Sequence, residues 1–177
     1  MRTSLADVNC SIARSMEVIG DGWTALILRD VYCGITRFEQ ITQDLDVSRK
    51  ILAARLDRLV ADGILERRAY SEHPPRHDYL LTPKGRELQP VFLALMAWGD
   101  RWTAGPDGPP AQTYHEACGQ HVSAVVTCDH CGKPLTADDA IPEAGPGGRV
   151  GRGTRLLGPL LAARARARRQ ADSLPAD

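Results

Sequence analysis

The stretch "YHEACGQHVSAVVTCDHCGKP", residues 114–134, gathers three of the chain's five cysteines and three of its five histidines. Two tetrads inside it share one pattern: His115-Glu116-Ala117-Cys118 followed by Gly119, and Cys128-Asp129-His130-Cys131 followed by Gly132. Two ligands three positions apart can grip one metal ion from a tight turn, and the next residue then favours a positive φ, which glycine adopts cheaply. Two such knuckles predict a Cys₃His set, His115, Cys118, Cys128 and Cys131, for one structural zinc. Cys118 with His121 has the same spacing but no glycine after it, so His115 is the preferred partner, and His121 and His130 are expected to be exposed bystanders. Four protein ligands leave no position for water, which points to a staple rather than a reaction centre. The competing use of these cysteines is a disulfide framework. The chain starts polar, without the basic patch and apolar run of a secretory signal, so a reducing, cytoplasmic setting is expected. Five cysteines, moreover, cannot all pair.

The elements that position these residues follow from composition. A chain of 177 residues suits one good core and a small satellite. Its 22 basic and 22 acidic residues cancel, but they are segregated: residues 104–148 carry six acids against Lys133, and residues 149–177 carry seven arginines against two aspartates. No apolar run approaches a membrane span, so no membrane partner is expected. Residues 5–102 are dense in Leu, Ile and Val at helical spacing, and "TAGPDGPPAQ" at 103–112 reads as a linker by its Gly and Pro content. Residues 113–140 form the zinc-ribbon-like module. Residues 141–177 read as a flexible basic tail whose Ala/Arg run over 160–170 is too loosely spaced to prescribe an apolar face.

Within 5–102 the expected fold is mainly α with a small β-hairpin. "CSIARSMEVI" reads as a helix stopped by Gly20, and "WTALILRDVYC" as a strongly apolar helix ended by Gly34. "TRFEQITQDL" follows, with Thr36 as a possible cap. A short turn then leads to Ser48 and "SRKILAARLDRLVAD", stopped by Gly63. Two short helices about a tight turn suggest a helix-turn-helix. At 100° per residue Leu52, Leu56 and Leu59 share the core side of the second helix, while Lys50, Ala53, Ala54 and Asp57 lie opposite, with Arg49 at the N-terminal shoulder. Small alanines among polar residues let a helix backbone approach base edges. The first turn of a recognition helix enters the major groove deepest, so Arg49 and Lys50, with Ser48, are the candidate contacts to double-stranded DNA. Taken alone, the same pattern also fits an ordinary amphipathic helix with a solvated basic face.

The next segment decides between these. "GILERRAY" and "DYLLT" are strand-like runs joined by the proline-stiffened "SEHPPRH", a hairpin directly after the recognition helix. This is a wing, with Arg67, Arg68, His73, Arg76 and His77 on or beside it. An arginine at such a tip can enter a narrow A·T-rich minor groove.

Residues 9–102 resemble the HxlR-type winged-helix transcriptional regulators, relatives of the MarR regulators. The resemblance lies in "CSIARSMEVIGDGWTALILRDVYCGITRFEQI", in "SRKILAARLDRLVADGILERRAYSEHPPRHDYLLTPKGREL" and in "WGDRW". It implies a dimeric winged helix-turn-helix protein that binds DNA and responds to a small-molecule or redox signal. It also places dimer contacts on the helix "KGRELQPVFLALMAWGDRW", where Leu88, Val91, Leu95, Met96, Trp98 and Trp102 form a broad apolar surface. Redox-sensing members carry a cysteine at the place of Cys10, usually followed by proline where this chain has Ser11. Cys10 is predicted at a helix start, where unpaired N–H groups favour a thiolate, with Arg14 one turn along. The competing functions are a zinc or thiol enzyme, for which neither a phosphate loop nor an H-E-x-x-H pair is present, and a protein-interaction module that uses the zinc ribbon on a winged-helix scaffold.

Overall fold

In the computed structural model, which describes residues 4–173, each helix of the predicted reading unit begins and ends for a local reason. Helix α1 (Ser11–Ile19) starts after Cys10 and closes on Gly20, whose N–H bonds Met16 O. Helix α2 (Gly22–Tyr32) is followed by Gly34 at φ 90°. Helix α3 (Phe38–Leu45) ends at Asp46, which takes the left-handed conformation at φ 47°, a short polar residue where most side chains would be strained. Two residues later Ser48 caps α4 (Arg49–Ala61), its hydroxyl accepting from Ile51 N at 3.3 Å, an interaction worth roughly 0.5–2 kcal/mol.

The α4 leucines behave as the helical period demands. Leu52, Leu56 and Leu59 are buried, together with Ile27, Leu28 and Val31 from α2, Ile41 from α3, and Val47 in the turn. The wing closes this core from below: β1 (Leu65–Glu72) pairs antiparallel with β2 (Pro75–Leu81), and Ile64, Leu65 and Tyr79 are buried at its base. The register shifts between Ala69 and Ser71, which leaves Tyr70 bulged outward. Thr36 was expected to cap α3, but the N-cap is Arg37, without a side-chain bond. Thr36 Oγ1 instead bonds Asp78 Oδ1 at 2.9 Å, and its carbonyl accepts from Tyr79 N, so the segment before α3 becomes a third edge against the wing.

After β2, Thr82 caps the short α5 (Pro83–Arg86), and α6 (Gln89–Trp102) follows. Gly85 is a close-approach position: a Cβ there would stand 2.3 Å from the Ile64 carbonyl oxygen, while the Tyr32 hydroxyl donates to the Gly85 carbonyl. The base of the wing, α2 and the entry to α6 therefore meet at one residue without a side chain.

The chain divides into two units differently from the predicted segments. Gly22–Pro134 forms one, so the expected linker 103–112 and the ribbon belong with the winged helix. Within it, a cavity of about 250 Å³ lies between Leu93, Met96 and Ala97 of α6 and Pro109, His121 and Val122; His121 lines it yet is exposed, as expected. The other unit joins the described parts of 1–21 and 135–177. There the expected flexible tail contains α7 (Leu157–Asp172). Residues 174–177 of that tail lie outside the described residues. Polar contacts stand in for the missing apolar face: Arg168 Nε bonds Glu143 at 2.5 Å, Asn9 Nδ2 bonds Gly147 O, and Thr154 is buried with its hydroxyl on Arg149 O. Among the described residues no helix is long and apolar enough to cross a membrane.

Candidate nucleic-acid interface

The solvent side of α4 carries Ser48, Arg49, Lys50, Ala54 and Asp57, all exposed, with Ala53 half-buried at its margin. The low side chains at 53 and 54 leave room for a groove edge to reach the backbone. Beside the start of this helix lies a cleft of about 660 Å³, walled by Arg37, Phe38, Arg49, Tyr70, Arg76 and His77. Its lining is cationic and aromatic, with one carboxylate, Glu39, among the arginines. Guanidinium groups and ring faces of that kind suit phosphate oxygens and sugar edges.

The charges on this face are not equally available. Arg49 Nη1 donates to Glu39 Oε2 at 2.5 Å and Nη2 to Oε1 at 2.8 Å, and its guanidinium stands 4.9 Å over the Phe38 ring. The Arg49 guanidinium, helped by the charge of Arg76, holds the Glu39 carboxyl below the usual carboxylate range. Arg67 donates to Asp57 of α4, and Arg68 Nη2 donates to Glu66 at 3.0 Å. These two arginines face Tyr79 and Asp78 across the ladder, away from the loop; Arg67 ties the wing to α4, whereas Arg68 is paired within its own strand. Arg37 Nε lies 3.3 Å from Asp78 and its guanidinium 4.3 Å over Tyr70. Toward the tip are exposed His73 and Arg76 and half-buried His77. Among the described residues, Lys50 and Arg76 form no salt bridge, although the charge of Arg76 is felt by Glu39. Sequence reasoning found the cations but missed their acids. Glu39 stands ten residues before Arg49, a spacing that no helical or strand period connects.

The knuckles form as two separate pairs. His115 ends β3 (Thr113–His115), β4 (Gln120–Val122) returns alongside, and Cys118 and Gly119 make the turn between them. His115 Nδ1 is 3.3 Å from Cys118 Sγ, near the roughly 3.5 Å edge that zinc–nitrogen and zinc–sulfur bond lengths imply for a tetrahedron. In the second turn the amides of Cys131 and then His130 hold the Cys128 thiol below its ordinary pKa, the state a metal ligand needs. Gly119 and Gly132 take φ 67° and 71°, as the pattern requires. The chemistry of each pair fits zinc. Among the described residues, however, no three such groups gather around one point, so the two pairs are not joined into the expected quartet.

Cys10, the candidate thiol, is half-buried and occupies the N-cap of α1 without a side-chain cap bond. Arg14 does not point its charge at it by any bond; its Nη2 donates to Ser11 Oγ at 3.1 Å.

With this geometry in place, comparison with known proteins is decisive. The model of the HxlR-like helix-turn-helix matches residues 18–106. The chain belongs to the HxlR-like family. It is 42% identical over 137 residues to the uncharacterized HTH-type transcriptional regulator Rv3095 of Mycobacterium tuberculosis, covering 77% of this chain and 87% of that one. It is 38% identical over 94 residues to the uncharacterized HTH-type transcriptional regulator sll1512 of Synechocystis, covering 52% and 70%. Its fold superposes on that of PA1607, provisionally described as a transcription factor, with TM-score 0.72 at 36% identity over 81% of this chain and all of that one. This HxlR-like protein is therefore a winged helix-turn-helix transcriptional regulator. The alignment to Rv3095 is longer than the 18–106 span, so that relative shares sequence beyond the HxlR-like winged helix itself.

Proposed function

We propose that the protein is a homodimeric regulator that reads an inverted-repeat operator in double-stranded DNA, with α4 in the major groove and the wing tip on the flanking backbone or minor groove. The observation that carries this is the exposed first turn of α4, with Lys50 free of any salt bridge, beside the arginine-rich cleft that ends at exposed Arg76. Dimerisation is supported by α6: Val91, Leu95, Trp98 and Trp102 repeat every three or four residues and are 51%, 59%, 59% and 69% exposed. An apolar stripe of that size on one helix suits a self-complementary two-fold contact. Two-fold symmetry then sets two recognition helices about one DNA turn apart.

Footprinting on the promoter regions beside its own gene tests the reading, since only a DNA reader protects a defined two-fold site. On that site, Arg76→Ala is expected to weaken binding to all sequences and to lower the salt slope by about one unit, the signature of a lost phosphate contact. Lys50→Ala is expected to change the preferred base at one position per half-site by about 1–3 kcal/mol. If both variants bind as the parent does, the face is misassigned.

For the signal, the reading keeps a small-molecule or thiol-reactive effector, with half-buried Cys10 at the start of α1 as the thiol. Diamide should release the parent protein from its operator and leave Cys10→Ser bound. Equal release of the two would remove Cys10 from the scheme.

A further inference from the structure

Three arginines of the reading face are paired with the protein's own acids before any DNA arrives. Glu39 takes both terminal nitrogens of Arg49, Asp57 takes Arg67, and Glu66 takes Arg68. None of these pairs is buried: Arg49 and Glu39 are 64% and 71% exposed, and Arg67 and Asp57 are 41% and 63% exposed. Surface pairs of this kind contribute little to folding. Their position therefore calls for an account other than stability. A carboxylate bound end-on by a guanidinium occupies the place a phosphate would take, since both offer two oxygens to the same fork.

We infer that Glu39 is a specificity-determining residue: it stands in for phosphate on Arg49 and so suppresses binding to DNA of arbitrary sequence, while leaving one edge of the guanidinium for a base. The geometry supplies both halves. The two Nη groups are committed to Glu39, one flat face is covered by Phe38, and the edge carrying Nε–H is left. A phosphate approaching Arg49 must displace a carboxylate at hydrogen-bond distance. A guanine edge presenting O6 and N7 can use the remaining side without doing so. Asp57 on Arg67 acts in the same sense about two turns further along α4.

This inference rests on the proposed DNA-reading face, and its test separates the two. Affinity of the full-length protein is measured for the footprinted operator and for a random-sequence duplex of equal length, across a range of salt. Glu39→Gln keeps the size of the side chain and removes its charge. It is expected to raise random-duplex affinity about tenfold at roughly 50 mM salt and about threefold at roughly 200 mM, because one released phosphate contact steepens the salt slope by about 0.9. Operator affinity should rise less or fall, so the operator-to-random ratio drops. Asp57→Asn should move the same way, and Asp107→Asn, which removes an equal charge in the loop after α6, should move neither. Unchanged random-duplex affinity and slope in Glu39→Gln would overturn the inference, as would an equal gain in Asp107→Asn. If Arg49→Ala and Arg76→Ala also bind both duplexes like the parent, it is the reading face itself that fails.

Discussion

Replacing Leu95 and Trp98 together by aspartate is expected to leave a folded monomer whose operator affinity is about 10²–10⁴ lower than the parent's. The magnitude comes from linkage. In a dimer, once one recognition helix is seated, the second meets its half-site as an intramolecular event, and losing the tether forfeits that effective concentration. Folding should survive because both side chains are 59% exposed, whereas the core of this unit is made from Ile27, Leu28, Ile41, Leu52, Leu56 and Leu59, all essentially inaccessible. Two charges per chain set into an apolar two-fold seam are met by two more from the partner, so the seam is opposed by both repulsion and desolvation. Sedimentation velocity at micromolar concentration reads the assembly state, and a titration of the footprinted operator reads the affinity. A variant that stays dimeric with parental affinity would show that α6 is not the seam.

The second large effect is expected from the knuckles. Protein purified under reducing conditions without chelator should carry about one zinc per chain, held by His115, Cys118, Cys128 and Cys131. Cys128→Ser should release it. Zinc binding of this type is worth roughly 10–16 kcal/mol in small isolated modules, more than a hairpin of two short strands and two turns can supply by packing. The expected result is loss of amide protection across residues 113–134 with the winged-helix core retained, because no residue of that ribbon contributes to the buried cluster of residues 27–79. Elemental analysis and hydrogen exchange measure the two parts separately. Absence of zinc from the parent protein would remove the site, and two zinc ions per chain would mean that the knuckles act as independent pairs.

The reading unit was legible in the sequence because each of its decisions is local. Ser48 can cap only the helix that follows it, Leu52, Leu56 and Leu59 fall on one side by period alone, and two strand-like runs joined by "SEHPPRH" pair most simply as a hairpin. The parts that were not legible depend on groups far apart in the chain. Thr36 looks like a cap by type, yet its hydroxyl is taken by Asp78, forty-two residues on. The partners of Arg49 and Arg67 are ten residues away across a turn, and charged side chains of that reach do not declare a partner in composition. Helix α7 was readable only as an Ala/Arg run, since its buried member is the small Ala165 and its anchors are Glu143 and the Pro142 carbonyl. The knuckle glycines were legible, because a positive φ at Gly119 and Gly132 follows from ligand spacing in a single turn.

Gly85 touches neither the reading face nor the apolar stripe, yet it bears on both. Any side chain there collides with the Ile64 carbonyl at the root of the wing, and where α5 gives way to relieve the clash it carries the start of α6 with it. In a dimer joined through α6, that shift is a change in the separation of the two recognition helices. The permitted number of base pairs between half-sites is then a quantity set by a backbone contact remote from DNA, and a protein altered at Gly85 would read the same half-site letters at a different spacing.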